Sequence, residues 1–192
     1  MTTPTPGSIE TVAQPALGAK RAVAMLAGVL LVSLGAQAAV PMPGNPVPIT
    51  LQVPAVLIVG GLLGPALGSA TLILYLLMGA AGLPVFAPTG TTFGLARLFG
   101  PTGGYLLAYP VAAGLVGQLT AGGRSWPRLW IGLVAGFVVI HAGGVAQLAV
   151  MGGDLSVALR LGSLPFLLGD CLKVLLAGLV IRRLGTKARD LL

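Results

Sequence analysis

Charge is what this sequence has least of. Only 8% of its 192 residues are Asp, Glu, Lys or Arg, against about 25% in soluble domains. That is too little to cover the surface of a soluble domain. Wholesale disorder is excluded on the same ground, because disordered chains are polar and charged. Cysteine is down to one, Cys171, so no intrachain disulfide forms and no compartment is encoded there. Acidic residues number 4, and no two of them share an apolar run. General acid–base chemistry has little to work with. No G-x-x-x-x-G-K-[ST], H-E-x-x-H or G-x-S-x-G occurs, which removes a P-loop ATPase, a zinc protease and an α/β-hydrolase. The chain is not read as an enzyme, and no cofactor or metal is expected of it.

What the chain has is apolar length. Hydrophobic residues make up 56%, with 30 Gly and 15 Pro that do not follow the collagen period. The composition is that of an all-α membrane protein. The 11 basic residues outnumber the acids by 7. In a soluble protein that excess would suggest nucleic acid. Here the basic residues lie mostly between apolar runs, so they report topology in a lipid bilayer and no nucleic-acid partner. Residues 1–19 read as a disordered tail, 20–185 as the membrane-embedded domain, and 186–192 as a basic tail. The run Ala22–Ala39 is too long for the 7–15-residue core of a signal peptide and is taken as a span.

A span needs about 20 apolar residues. The first ends at Pro41-Met-Pro-Gly-Asn-Pro-Val-Pro48, which cannot be helix. The uncharged stretch 53–87 is too long for one span, and Gly64-Pro65 lies inside it, with proline well placed to open a new helix. The stretch divides into a short span near 53–64 and a longer one near 66–83. Further spans are expected near 101–119, 129–150 and 164–181. Parity supports the division. With six spans and an internal N-terminus, Lys20, Arg21, Arg124, Arg128, Arg182, Arg183, Lys187 and Arg189 face the cytoplasm. Arg97 and Arg160 face outward. One bent span over 53–83 would instead leave only Lys20, Arg21, Arg97 and Arg160 inside. The positive-inside rule selects six spans with both termini cytoplasmic.

Small residues recur at helical spacing. Ala24/Gly28 and Gly35/Ala39 in the first span suit close packing within the chain, or a docking face for another membrane protein. Gly64-Pro65-Ala66-Leu67-Gly68 echoes Gly100-Pro101-Thr102-Gly103-Gly104, and a proline at each helix start accounts for it.

Charges inside the bilayer are costly and default to a functional reading. Asp170 and Lys173 are three apart on one helix, so they share a face. Counted from Leu164, they lie about 9 Å and about 13 Å along the axis, within reach of an outward cavity. They form either a self-neutralising structural pair or the polar floor of a ligand pocket. Arg97 is the only charge between Arg21 and Arg124. It is either a solvated loop residue or a cation beside the glycine turn 100–104, whose backbone N–H groups can face an anion. Tyr105 can stack on a ring, offer its hydroxyl or anchor at the interface. His141, alone in the fifth span, reads as a hydrogen-bonded packing residue. Gln52 is placed near the outer mouth, and Asp154 and Arg160 are read as solvated loop charges.

Five segments in order complete the reading: Pro46-Val-Pro-Ile-Thr-Leu-Gln52, Gly60-Gly-Leu-Leu-Gly-Pro-Ala-Leu-Gly68, Gly82-Leu-Pro-Val-Phe-Ala87, Phe99-Gly-Pro-Thr-Gly-Gly-Tyr-Leu106 and Gly169-Asp-Cys-Leu-Lys173. Over about residues 20–183 the chain resembles the BioY family, the biotin-binding S components of energy-coupling-factor transporters. The resemblance implies a six-helix bundle in the bacterial cytoplasmic membrane with an outward biotin pocket. It also implies two kinds of partner, a transmembrane coupling protein and a pair of ATPases, with ATP used only by the latter. Arg97, Asp170 and Lys173 match polar biotin-site positions of the family. On chemistry, Asp170 suits the ureido N–H groups, and Lys173, Arg97 or both suit the carboxylate. Tyr105, Gly103 and Gly104 would line the wall. Two departures stand out. The A-x-x-x-A pattern of the family's first helix is reduced to Ala24-x-x-x-Gly28. The polar amide found in many members after Val-Phe-Ala is replaced by Pro88-Thr89-Gly90, leaving Thr89 to serve. Rival readings are an S component for another vitamin or a biotin precursor, and a non-binding membrane assembly protein.

Overall fold

The computed structural model describes residues 14–90, 92–121 and 125–190. Arg124 and the first thirteen positions of the tail lie outside these. The chain is helical, with α1 (Gln14–Gln37), α2 (Gln52–Ala80), a 3-10 helix (Gly94–Phe99), α3 (Gly103–Ala121), α4 (Trp126–Gly152), α5 (Leu155–Gly162) and α6 (Leu167–Asp190). Helix α1 therefore begins inside the segment read as a tail. Helix α6 runs on into the basic segment 186–192. An isolated antiparallel bridge joins Val40 to Ile49.

By length and composition, α1 from Leu17, α2 and α4 can each cross a membrane, and α5 with α6 forms a fourth candidate bent by 54°. Helix α2 is two helices in one. Gly64 sits at φ 80° and ψ −178°, a conformation open essentially to glycine alone. Gln52 and Tyr75 are 23 residues apart, yet Gln52 Nε2 donates to the Tyr75 hydroxyl at 2.8 Å. A straight helix would hold them about 34 Å apart. The chain therefore reverses at Gly64, and the legs 52–63 and 65–80 run antiparallel. Gly60 and Gly68 make the close approach between them.

Helix α3 sits at the centre, against both legs of α2 and against α4. Glycine permits the contacts. A Cβ on Gly60 would strike the Ala113 backbone, and one on Gly117 the Gly64–Pro65 turn. Gly28 lies over Thr71 and Val59, and Gly35 over the Leu51 backbone. In the first helix these two small residues thus serve packing within the chain. The Ser33 and Thr71 hydroxyls bond back to carbonyls four residues earlier, on Val29 and Leu67, which satisfies them within their own helices. Leu26, Leu30 and Leu34 on α1 and Leu172, Leu176 and Leu179 on α6 are exposed. These apolar outer faces account for the shortage of charge.

The two ends of the bundle differ. At one end, the start of α1, the Gly64 turn, the start of α4 and the end of α6 meet, and the Arg182 guanidinium lies 3.9 Å over the Trp126 ring. Lys20, Arg21, Arg128, Arg183 and Lys187 lie on these same segments. At the other end, side-chain amides tie loops to helices. Gln37 Nε2 donates to the Pro84 and Phe86 carbonyls, each at 3.1 Å. Gln147 Nε2 donates to Leu98 O at 3.1 Å and Gly100 O at 2.6 Å. Asn45 Nδ2 donates to Leu161 O at 2.8 Å, clasping the 40–49 loop to α5. Asp154, a solvated loop charge in the sequence reading, is exposed and also caps α5 by accepting from Ser156 N at 2.7 Å and Val157 N at 3.2 Å. The Ser156 side chain first, and then these backbone bonds, hold its carboxyl below the usual range and favour the charged form at a helix N-terminus.

Candidate functional site

A cavity opens at the amide-stitched end. The start of α2 supplies Gln52 and Val53, α3 supplies Tyr105 and Tyr109, α4 supplies His141, and α6 supplies Asp170 and Lys173. Arg97 comes from the 3-10 helix, and Val47, Pro48, Thr50 and Phe86 come from the two loops above. The enclosed space is about 50 Å³, enough for a few waters. A larger ligand needs the lining residues to move apart.

Asp170 is the electrostatic centre. It is 3% exposed, and both carboxylate oxygens are engaged. Oδ1 accepts from Lys173 Nζ at 2.8 Å and Oδ2 faces His141 Nε2 at 3.1 Å. Lys173 also donates to the Thr50 carbonyl at 2.9 Å, which joins α6 to the loop before α2. The three-residue spacing on a helix brings Asp170 and Lys173 together. His141 arrives from α4 and is held among aromatic rings, with Phe137 at 4.3 Å, Tyr105 at 6.1 Å and Phe166 at 6.4 Å between centroids.

Arg97 is buried, not solvated. Its Nη1 donates to the Thr89 carbonyl and, at 3.4 Å, to Thr92 O, and its Nη2 donates to Thr89 Oγ1 at 3.3 Å. Thr89 thus holds the arginine through both its carbonyl and its hydroxyl. Gly90 leaves it room, at φ +85° and with any Cβ only 3.2 Å from Nη1. Among the described residues Arg97 has no carboxylate partner.

Of the residues singled out from sequence, Arg97, Tyr105, Asp170 and Lys173 all line this cavity. The Tyr105 ring does so while its hydroxyl donates to the Gly162 carbonyl. Gly103 and Gly104 are elsewhere. Gly103 packs on the Leu98 carbonyl and Gly104 on the Gly143 backbone, so they bring α3 against the 3-10 segment and α4. His141 and Gln52 belong to the cavity and were read as packing and mouth residues. A lone histidine or glutamine in one helix gives no sign of which distant residue it will meet. Gln52 is further fixed by Thr50 Oγ1, which donates to its Oε1 at 3.3 Å. The Tyr75 hydroxyl that accepts from Gln52 donates onward to the Val85 carbonyl at 3.1 Å.

The arrangement has the character of a ligand pocket. It offers one carboxylate and two cations, so a net charge of +1, among apolar and aromatic walls. That suits a monoanion carrying N–H donors and an apolar body.

Comparison with known proteins agrees. The BioY family model matches residues 8–190. The probable biotin transporter BioY of Pyrococcus horikoshii is 41% identical over 156 residues, 81% of this chain and 90% of that protein. The biotin transporter BioY of Thermotoga maritima is 37% identical over 154 residues, 80% and 89% of the two chains. The crystal structure at 2.1 Å of the S-component for biotin from an ECF-type ABC transporter superposes with a TM-score of 0.75 at 29% identity, covering 92% of this chain and 94% of that one. The match spans the bundle and all five segments that carried the resemblance, and the chain belongs to the BioY family.

Proposed function

We propose that this chain is the membrane-embedded subunit that captures biotin at the outer face of the cytoplasmic membrane. It then delivers biotin through a transmembrane coupling protein driven by a pair of ATPases. The observation that carries the reading is the single cavity holding Arg97, Asp170 and Lys173. Biotin is a monoanion at neutral pH, and it would bring this site of charge +1 to neutrality. A ureido N–H group is a donor for the free lone pairs of Asp170. Its carbonyl can take the third hydrogen of Lys173, whose other two are committed to Asp170 and Thr50. Its tail carboxylate falls to Arg97, the cation without an acidic partner among the described residues.

The test is equilibrium binding of biotin and biotinamide to the full chain in detergent, with Arg97→Gln beside the parent. The parent binds biotin, and unlabelled riboflavin or thiamine does not compete. Arg97→Gln weakens biotin by about 10- to 100-fold, the worth of a charged hydrogen bond, and leaves biotinamide within about threefold. Equal losses for both ligands would remove Arg97 from the carboxylate. Displacement by another vitamin would overturn the biotin reading.

We further propose six crossings, formed by α1, the two legs of α2, α3, α4 and α6, with both termini cytoplasmic. The Gly64 reversal and the gathering of basic segments at one end support this order. Epitope tags at both termini should resist protease in sealed right-side-out vesicles and be cut in inverted ones. Opposite sensitivity of the two tags would mean an odd number of crossings.

A further inference from the structure

Among the described residues, one buried side-chain nitrogen or oxygen has no hydrogen-bond partner: Nδ1 of His141. The residue is 7% exposed and lines the cavity. Buried polar atoms are almost always satisfied, and an exception calls for an explanation. The other ring nitrogen fixes the tautomer. Nε2 faces Oδ2 of Asp170 at 3.1 Å, a carboxylate oxygen that can only accept, so Nε2 carries the hydrogen. In the neutral ring Nδ1 is then a bare acceptor. The neighbouring rings of Phe137, Tyr105 and Phe166 offer it no donor, the Tyr105 hydroxyl being spent on Gly162.

We propose that His141 is a further recognition residue of this site, whose Nδ1 accepts one N–H of the bound ligand while Nε2 holds Asp170 in place. The inference rests on the biotin reading above, and it assigns the two ureido N–H groups to two different acceptors, Asp170 and His141. Two acceptors on two helices, α4 and α6, would read both N–H groups at once. A cyclic ligand that lacks one of them leaves a buried acceptor unpaired, which is a strong basis for rejection.

The experiment measures binding to the full chain of biotin and of its two cyclic carbamate analogues, each with one ureido N–H replaced by ring oxygen. His141→Gln retains an amide donor near the place of Nε2 but has nothing at Nδ1. It should weaken biotin roughly tenfold. One carbamate should bind the parent roughly tenfold more weakly than biotin and lose nothing further in His141→Gln; the other should lose again. His141→Asn, which sets an amide oxygen near the place of Nδ1, should recover affinity for biotin relative to His141→Ala. That last pair also serves if His141→Gln does not fold. Unchanged biotin binding by His141→Gln, or the same added loss for both carbamates, overturns the role of His141 alone. A parent that does not bind biotin overturns the biotin reading and this inference together.

Discussion

Asp170→Asn should weaken biotin binding by about 100-fold or more, the largest effect expected of any single change in the cavity. The amide is nearly isosteric, so space is not the issue. The carboxylate accepts from Lys173 at 2.8 Å and from His141 at 3.1 Å while only 3% exposed. Removing its charge leaves the Lys173 ammonium half-buried without an anion. Breaking such a pair from one side costs about 3–5 kcal/mol. It also raises the site's charge by one and removes an acceptor for the ligand's N–H groups. Calorimetry of the folded variant gives the affinity, and thermal unfolding beside it separates loss of the site from loss of the protein. Pairing Asp170→Asn with Lys173→Met should restore much of the thermal stability and none of the binding. Binding within about threefold of the parent in the single variant would show that Asp170 is structural only.

Gly104→Leu is expected to prevent folding, at about 3 kcal/mol or more. A Cβ there would meet the Gly143 carbonyl and Gln147, so the obstacle is largely backbone and cannot rotate away. The Gly104–Gly143 contact lets α3 and α4 approach closely, which is how membrane helices gain packing energy without a hydrophobic drive between them. The next residues, Tyr105 and Gly144, pack ring on backbone beside the cavity, so prising the helices apart also displaces the wall of the site. Gly169→Ala is the control. It lies on α6 with open space around it and should be neutral or slightly stabilising, since alanine is the better helix former. Size-exclusion profiles and thermal unfolding in one detergent compare the two. A Gly104→Leu protein that folds and binds normally would show that the α3–α4 crossing is not held by this contact.

These two residues mark how far the site was legible in sequence. Asp170 and Lys173 could be paired from spacing alone, because three residues on a helix fix a shared face whatever surrounds it. Arg97 stood out because charge is so scarce, although only the fold turns it inward and gives it Thr89. Gly103 and Gly104 carried a real turn signal, but that signal says nothing of which neighbour a missing Cβ will meet. They came out as helix contacts, not cavity wall. His141 was not placed in the cavity from sequence for a related reason. Its partner, Asp170, is 29 positions away on another helix, and no periodicity within one helix reports where it crosses the next.

The same division holds for the whole molecule. Shortage of charge, apolar runs of spanning length and Gly64-Pro65 were enough to settle a helical membrane protein with a break in its second apolar stretch. These are properties of single segments against water and lipid, and composition and spacing encode them. The antiparallel folding of the two legs of α2, the Gln52–Tyr75 bond across them, and the choice of which cation is already paired come only from the tertiary structure. Each depends on residues far apart in the chain, brought together by glycine contacts between helices, and the strength of those contacts lies in geometry that a sequence does not carry.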